Sequence, residues 1–406
     1  MNLLTNNPIS REMSRERVYG LDMLRAYAII LTLIGHAGLL MPVRFQIIQY
    51  RYFIFMDAVN LFFVLSGFLI GRILINAFKT EHLNFKALMH FWSRRWLRTL
   101  PAYFFVLSML ALLHQVHSKR MLLKFGLFIQ NFNTPQPEWF TEAWTLSIEE
   151  WFYLLTPLCV FIAIKAFRMP TYKAFLVIAC AFIIAFPLYR LYKFYQVAPF
   201  DGHRPWEFLF RMQVTTRLDS IMYGVVAACI YCYYRNTWNR YKNISLITGI
   251  TIIWITRTLD YSFIEQEGIY SNFYSSVFTF SCQCFGAMLI LPFFENIKQG
   301  KGKLSRFITF ISVISYSLYL LNFALVALFI MPRMPHWGLP DKLYYVVRYL
   351  ATLIVSVGLA CILYIAVEHP FLYLRSKLGK KRRGSGAIPL PEGIKEKRST
   401  VETADL

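Results

Sequence analysis

The sequence predicts an all-α, polytopic membrane helical bundle of about ten transmembrane helices, with both termini cytoplasmic. Three observations carry that reading. Apolar residues make up 57% of the 406-residue chain and charged residues 16%, with a mean hydropathy of +0.44; an ordinary soluble protein is roughly a quarter charged. The apolar residues fall in runs of spanning length, about 20 residues each. The basic residues gather in alternate loops, as orientation signals do. An aromatic content of 17% also excludes a disordered or low-complexity chain.

The candidate spans lie near residues 22–41, 53–76, 100–116, 145–165, 174–190, 217–234, 244–259, 272–294, 307–331 and 344–367. That near 244–259 is the shortest. The stretch LLKFGLFIQNF at 122–132 is too short to cross and reads as interfacial or re-entrant. With the N-terminus inside, and the span-edge residues Lys165 and Arg190 counted with the loops they border, inner segments hold 27 Lys and Arg and outer loops 11, so the positive-inside rule favours an even number of spans. The expected division is a cytosolic segment at 1–19, a membrane domain at 20–374 and a basic, disordered cytosolic tail at 375–406. No cleavable signal peptide is evident in the polar N-terminus. The outer loops are too small for a folded catalytic domain, so the bundle itself must do the chemistry.

The formal charge of +21 does not indicate nucleic acid. Such binders cluster Lys and Arg on one polar face, whereas here they sit between spans and in the tail. An anionic lipid surface is the better partner. The cysteines lie in apolar stretches, and Cys229-x-x-Cys232 lacks a second ligand pair, so no metal is expected.

Ionisable groups inside spans are costly and become functional candidates. In the first span, Arg25 and His36 are eleven residues apart, about three turns, and lie roughly 20° from one face. A rise of ~16 Å between them puts His36 near mid-bilayer if Arg25 sits at the cytosolic end. For either residue alone, cross-bundle hydrogen bonding or snorkelling explains it; the pair on one stripe points to a site. The second span carries Asp57, Asn60, Ser66, Gly67, Gly71 and Arg72. Gly67 and Gly71 form a small-xxx-small pair suited to close packing, and Ser66 has no local acid–base partner.

Arg94, Arg95 and Arg98 stand before Pro101 at the cytosolic mouth of the third span. They are either topology signals or a clamp for a phosphate-rich ligand, which Arg binds bidentately. In the fourth span, Glu149 and Glu150 either cap the helix or supply one carboxylate to the bundle, since adjacent residues point about 100° apart. Such a carboxylate could hold His36 in one tautomer. Arg217 and Asp219, in TTRLDSIMYG, read as an ordinary ion pair.

Taken together, these segments resemble the membrane acyltransferase family often called acyltransferase 3, which O-acylates sugars and related acceptors. The resemblance covers about residues 18 to 375. RVYGLDMLRAYAIILTLIGH is similar to that family's opening, VNLFFVLSGFLIGRIL to its second-span block, RRWLRTLPAYF to its arginine block and AWTLSIEEWFYLLTPL to its Trp-and-Glu block. RLDSIMYGVVAA, ISYSLYLLNF and VEHPFLYLR are similar to later blocks. The chain departs from the family at two positions: Asn60 stands where an Asp is usual, and Asn322 where a His is frequent. Some relatives add an extracytoplasmic hydrolase-like domain; the expectation here is a stand-alone form.

The resemblance implies an inner-membrane enzyme with acyl-CoA, by family frequency acetyl-CoA, as donor and a glycan or glycolipid hydroxyl as acceptor. It assigns Arg25, His36 and Glu149 to catalysis and Arg95 and Arg98, with Arg94 beside them, to the donor. Trp144, Ser66, Asn60, Glu150, Arg217 and Asp219 are the expected acceptor-side residues. The expected mechanism has neutral His36 as general base, oriented by Glu149. A proton-coupled transporter is the alternative that buried Arg, His and Glu also suit; no broken helices recurring in the two halves favour it.

Overall fold

The computed structural model describes residues 8–14, 17–45, 56–79, 84–113, 118–198, 203–267 and 272–383. The expected terminal segments at 1–7, 15–16 and 384–406 lie outside the described residues. Among the described residues there is no β-strand, and long helices stand at all ten expected positions. They are α1 (Tyr19–Gly38), α2 (Ala58–Phe78), α3 (Phe85–Leu113), α4 (Ala143–Lys165), α5 (Thr171–Val197), α6 (Val214–Tyr233), α7 (Lys242–Glu267), α8 (Thr279–Glu295), α9 (Gly302–Leu321) and α10 (Asp341–Leu363). Seven of them, α1 to α5, α9 and α10, are long and apolar enough to cross a membrane. Arg217 and Asp219 in α6, and Arg257 and Asp260 in α7, dilute the apolar runs of those helices, and α8 has only 17 residues.

Close backbone approach sets the centre of the bundle. α2 lies along α6, and a β-carbon on Gly67 would run into the Ile221 carbonyl, just as one on Gly224 would run into that of Val64. Only glycine permits that crossing. Gly71, one turn on, faces Ala228, so the small-xxx-small stripe is a packing surface. α1 lies against α9, and α7 against α8.

The two ends of the bundle are tied differently. At the end where α1 begins, Tyr19 and Gly20 N–H groups donate to the Lys298 and Ile297 carbonyls at 3.3 and 2.9 Å. At the opposite end the 122–132 stretch forms no crossing helix. Only Lys119–Gly126 is helical; the chain then turns through Phe128 at φ 56°. Tyr103 Oη donates to the Phe125 carbonyl at 3.0 Å, Trp151 Nε1 to that of Phe128 at 2.9 Å, and Asn131 Nδ2 to that of Met212 at 2.6 Å. The side chains of α3, α4 and Asn131 thus satisfy a loop that lies over the bundle end.

Four sequence expectations change. α3 begins at Phe85, so Arg94, Arg95 and Arg98 sit within the helix, 9 to 13 residues from its start, and Pro101 is internal. Charged residues hid that first half from a search for apolar runs. The 272–294 stretch breaks at Phe278 into Phe273–Val277 and α8, where Asp260 accepts from Ser275 at 2.8 Å and Thr279 at 2.6 Å across the break. A π-helical turn, Tyr364–Glu368, leads α10 into α11 (His369–Arg383), so a tail boundary at 375 falls inside a helix. Leu372 anchors α11 in an apolar cluster with Ile9, Ile311 and Tyr364. Finally, Asp219 does not pair with Arg217.

That last difference follows from helix geometry: residues two apart point about 200° apart. Asp219 faces α5 and takes Arg190 in a two-pronged ion pair at 2.8 and 2.9 Å. Arg190 also donates to the Thr216 and Val277 carbonyls and to Ser281. Both side chains of the pair are fully buried, and this full hydrogen bonding is what makes a buried pair tolerable.

Candidate active site

His36 occupies the last turn of α1. The helix starts six residues before Arg25, so His36 lies about 26 Å along it, nearer the far end than the middle. Its Nδ1 hydrogen-bonds Asn322 Oδ1. Asn322 stands where α9 passes into a π-helical stretch, Asn322–Ile330. Its Nδ2 is spent on the Leu318 and Tyr319 carbonyls, at 2.8 and 2.9 Å. Carbonyls only accept, so the amide orientation is determined and Oδ1 is the atom facing the ring. Nδ1 must therefore carry a proton, and in the neutral ring the free lone pair then falls on Nε2. The Phe323 ring packs against the imidazole, tilted 39° to it at 4.4 Å between centroids, and His36 remains half-buried rather than sealed.

Glu149 does not orient His36. It accepts from Tyr153 Oη at 2.7 Å and from Arg95 at 3.4 Å. Arg95 also hydrogen-bonds Tyr153 Oη and stacks over its ring, 4.0 Å from the centroid. Ser66 joins this network through Tyr153 at 2.5 Å. Glu150 is buried on another face, accepting from Thr99 at 3.2 Å, as the 100° offset requires. The network lies one turn along α4 from Thr145, whose hydroxyl meets Tyr319 Oη at 2.7 Å.

Towards the start of α1 the guanidinium groups converge. Asp22 accepts from Arg17 at 2.5 and 2.7 Å, from Arg25 at 3.2 Å and from Ser312 at 2.7 Å. Arg25 lies within electrostatic reach of Arg17, Arg95 and Arg98. Arg375, from α11, lies within reach of Arg94, Arg95 and Arg98. Arg98 is exposed and the others are half-buried. Glu368, bonded to Ser317 at 2.8 Å, is the nearby acid for Arg98. Cations outnumber acids here.

Beside His36, at the other end, Arg211 pairs with Asp57 at 3.2 Å and Glu207 at 2.9 Å and lies 5.2 Å from the Trp144 ring centroid. Arg217 is fully buried, hydrogen-bonds Asn60, and stacks 4.0 Å over Phe280. Asn60 passes the chain to Gln283 at 2.8 Å. Two cavities, of about 150 and 290 Å³, lie elsewhere, the larger lined by Ile183, Leu188 and Phe278. No group of three or more His, Cys, Asp and Glu could hold a metal ion among the described residues.

The structure thus brings together Arg25, Arg95 and Arg98, and links Ser66 to Glu149 through Tyr153. Sequence reasoning missed Arg17, Asp22, Tyr153, Arg211, Glu368 and Arg375. Arg375 closes the segment VEHPFLYLR, at the boundary where the sequence predicts the tail to begin. Nothing local marks Tyr153 among 25 tyrosines.

Residues 18–365 match a family described as an acyltransferase domain. The chain is 26% identical over 230 residues to O-acetyltransferase OatA of Staphylococcus aureus, a match covering 52% of this chain and 34% of that protein. It is 28% identical over 201 residues to peptidoglycan O-acetyltransferase OatA of Listeria monocytogenes, covering 44% and 30%. The chain thus spans about a third of the length of these curated relatives. No solved structure matches it significantly.

Proposed function

The chain belongs to the acyltransferase 3 family of membrane proteins, and on that premise we propose that it transfers an acyl group, acetyl in the first instance, from cytosolic acyl-CoA to a hydroxyl of a glycan or glycolipid at the far face of the cytoplasmic membrane. The observation that carries the reading is the His36–Asn322 hydrogen bond, which in a neutral imidazole leaves the lone pair on Nε2 for a base, in one bundle with a guanidinium cluster. The names of the relatives support an O-acetyl group and a glycan acceptor.

The chain's residues divide the work as follows. Arg98, Arg94 and Arg375, with Arg17 and Arg25 behind them, bind the phosphates of the donor, for which clustered guanidinium groups are well matched. The pantetheine arm carries the thioester along the bundle towards His36. His36 Nε2 takes the acceptor hydroxyl proton as its oxygen attacks the thioester carbonyl. The tetrahedral intermediate expels the CoA thiolate, which recovers the proton from the imidazolium. Arg25 acts on the donor rather than at the reacting carbon, because it lies about 16 Å from His36 along α1. Glu149 is held by Arg95 and Tyr153 and takes no proton in this scheme.

Purified protein in nanodiscs with labelled acetyl-CoA and a soluble oligosaccharide tests the reading. Label appearing on the sugar, and lost in His36→Ala, supports it. Full transfer by His36→Ala refutes the base; solute flux into liposomes without CoA would favour a transporter instead.

A further inference from the structure

Glu142 precedes α4 and ought, by its position, to cap that helix, since acids at helix starts satisfy free N–H groups. It does not: its side chain makes no cap hydrogen bond. Its Oε1 instead accepts the N–H of Ala324, 182 residues away, at 2.9 Å. Its backbone carbonyl accepts Tyr319 Oη at 3.0 Å and Thr145 Oγ1 at 3.3 Å. Glu142 is 2% exposed, and its Oε2 has no hydrogen-bond partner among the described residues.

The grip falls on a particular stretch of chain. Asn322 bonds the imidazole and the tilted Phe323 ring packs against it; Ala324 is the next residue. A π-helical stretch has poorer backbone geometry than an α-helix and persists where something compensates for it. Burial of a carboxyl with one unmet oxygen is a cost, accepted here at the point where α9 changes register. We infer that Glu142 is a positioning residue for His36: by holding the Ala324 N–H it keeps Asn322 and Phe323 in the π register that presents them to the ring. It touches neither donor nor acceptor. The role deepens the acyltransferase reading and rests on His36 being the base, but the geometric effect is measurable without turnover.

The test uses the full chain in nanodiscs with 15N-labelled histidine. The His36 resonance is assigned by its loss in His36→Ala, and its tautomer is read from the ring-nitrogen shifts. Wild type shows the proton on Nδ1. Glu142→Ala is expected to release that preference and to lower kcat about 10²-fold, the scale of a small misplacement at a reacting centre, with the KM for acetyl-CoA unchanged. Glu142→Gln, whose amide oxygen still accepts the N–H, keeps both tautomer and kcat within a few-fold of wild type. If Glu142→Ala fails to fold, Glu142→Asp, one methylene short of Ala324, takes its place with the same expectation. An unchanged tautomer in the Ala or Asp variant, or a Gln variant as impaired as Ala, overturns the inference. A tautomer that shifts while wild type itself transfers no acyl group upholds the positioning role and refutes the enzyme reading instead.

Discussion

The side-chain amide of Asn322 determines which nitrogen of His36 bears the proton. Two carbonyls of its own helix hold its Nδ2 at 2.8 and 2.9 Å, and the remaining oxygen meets His36 Nδ1. A neutral amide does here what a carboxylate does in many imidazole bases: it orients the ring and selects the tautomer, without adding charge.

If that is the role of Asn322, Asn322→Ala should lower kcat by about 10²- to 10⁴-fold, the usual worth of general acid–base catalysis. The donor KM should stay unchanged, because the arginine cluster is untouched. Asn322→His, which restores an acceptor for Nδ1–H, should regain part of the rate. Steady-state kinetics with labelled acetyl-CoA decide this; a high rate in the Ala variant would free the tautomer from Asn322.

The arginines call for a different kinetic signature. Arg98→Ala and Arg375→Ala are each expected to raise the KM for acetyl-CoA with little change in kcat, as loss of uniform binding does. Dephospho-CoA donors should lose less affinity from these changes than the full donor. A rise in acceptor KM instead would move the phosphates elsewhere.

Arg190 and Asp219 form a fully buried pair, and breaking such a pair costs about 3–5 kcal/mol. Arg190→Met should therefore lower the thermal midpoint in detergent sharply. Arg190→Met with Asp219→Asn, which removes the stranded charge, should recover much of the loss. Equal midpoints for the single variant and wild type would contradict the pairing.

Gly67→Ala offers a packing test. Its β-carbon meets the Ile221 backbone oxygen, so α2 and α6 must separate. The expected result is a lower midpoint in Gly67→Ala, larger than any caused by Gly71→Ala, whose neighbour is the Ala228 side chain. The reverse order would mean that the two helices do not cross at Gly67.

Glu142 also predicts a pH dependence. Burial pushes its carboxyl from the usual 4.5 up to about 8. The folded protein then binds the proton more tightly than the unfolded chain, so this contribution is complete below about pH 4.5 and is lost as pH rises towards 8. Wild type should lose more thermal stability across that window than Glu142→Gln, which has no proton to lose. Parallel curves for the two would remove Glu142 from the titration.

Length and hydropathy alone determined the helical bundle and the approximate positions of ten long helices among the described residues, because burying a backbone in lipid requires its hydrogen bonds to close within each segment. The local pattern also pointed to His36, Arg25 and the arginine block, since charge is conspicuous against an apolar background. What it could not reach was partnership. Arg217 and Asp219 are two residues apart in the chain, yet one meets Asn60 and the other Arg190. Depth in the membrane suggests Glu149 as the partner of His36, but Arg95 and Tyr153 hold it and Asn322 holds the ring. Those choices depend on how helices rotate and cross, set by glycine contacts such as Gly67 on Ile221 and by a register change at Asn322. A hydrogen bond is decided over a few tenths of an ångström between residues up to hundreds apart, and only the packed tertiary structure sets distances at that scale.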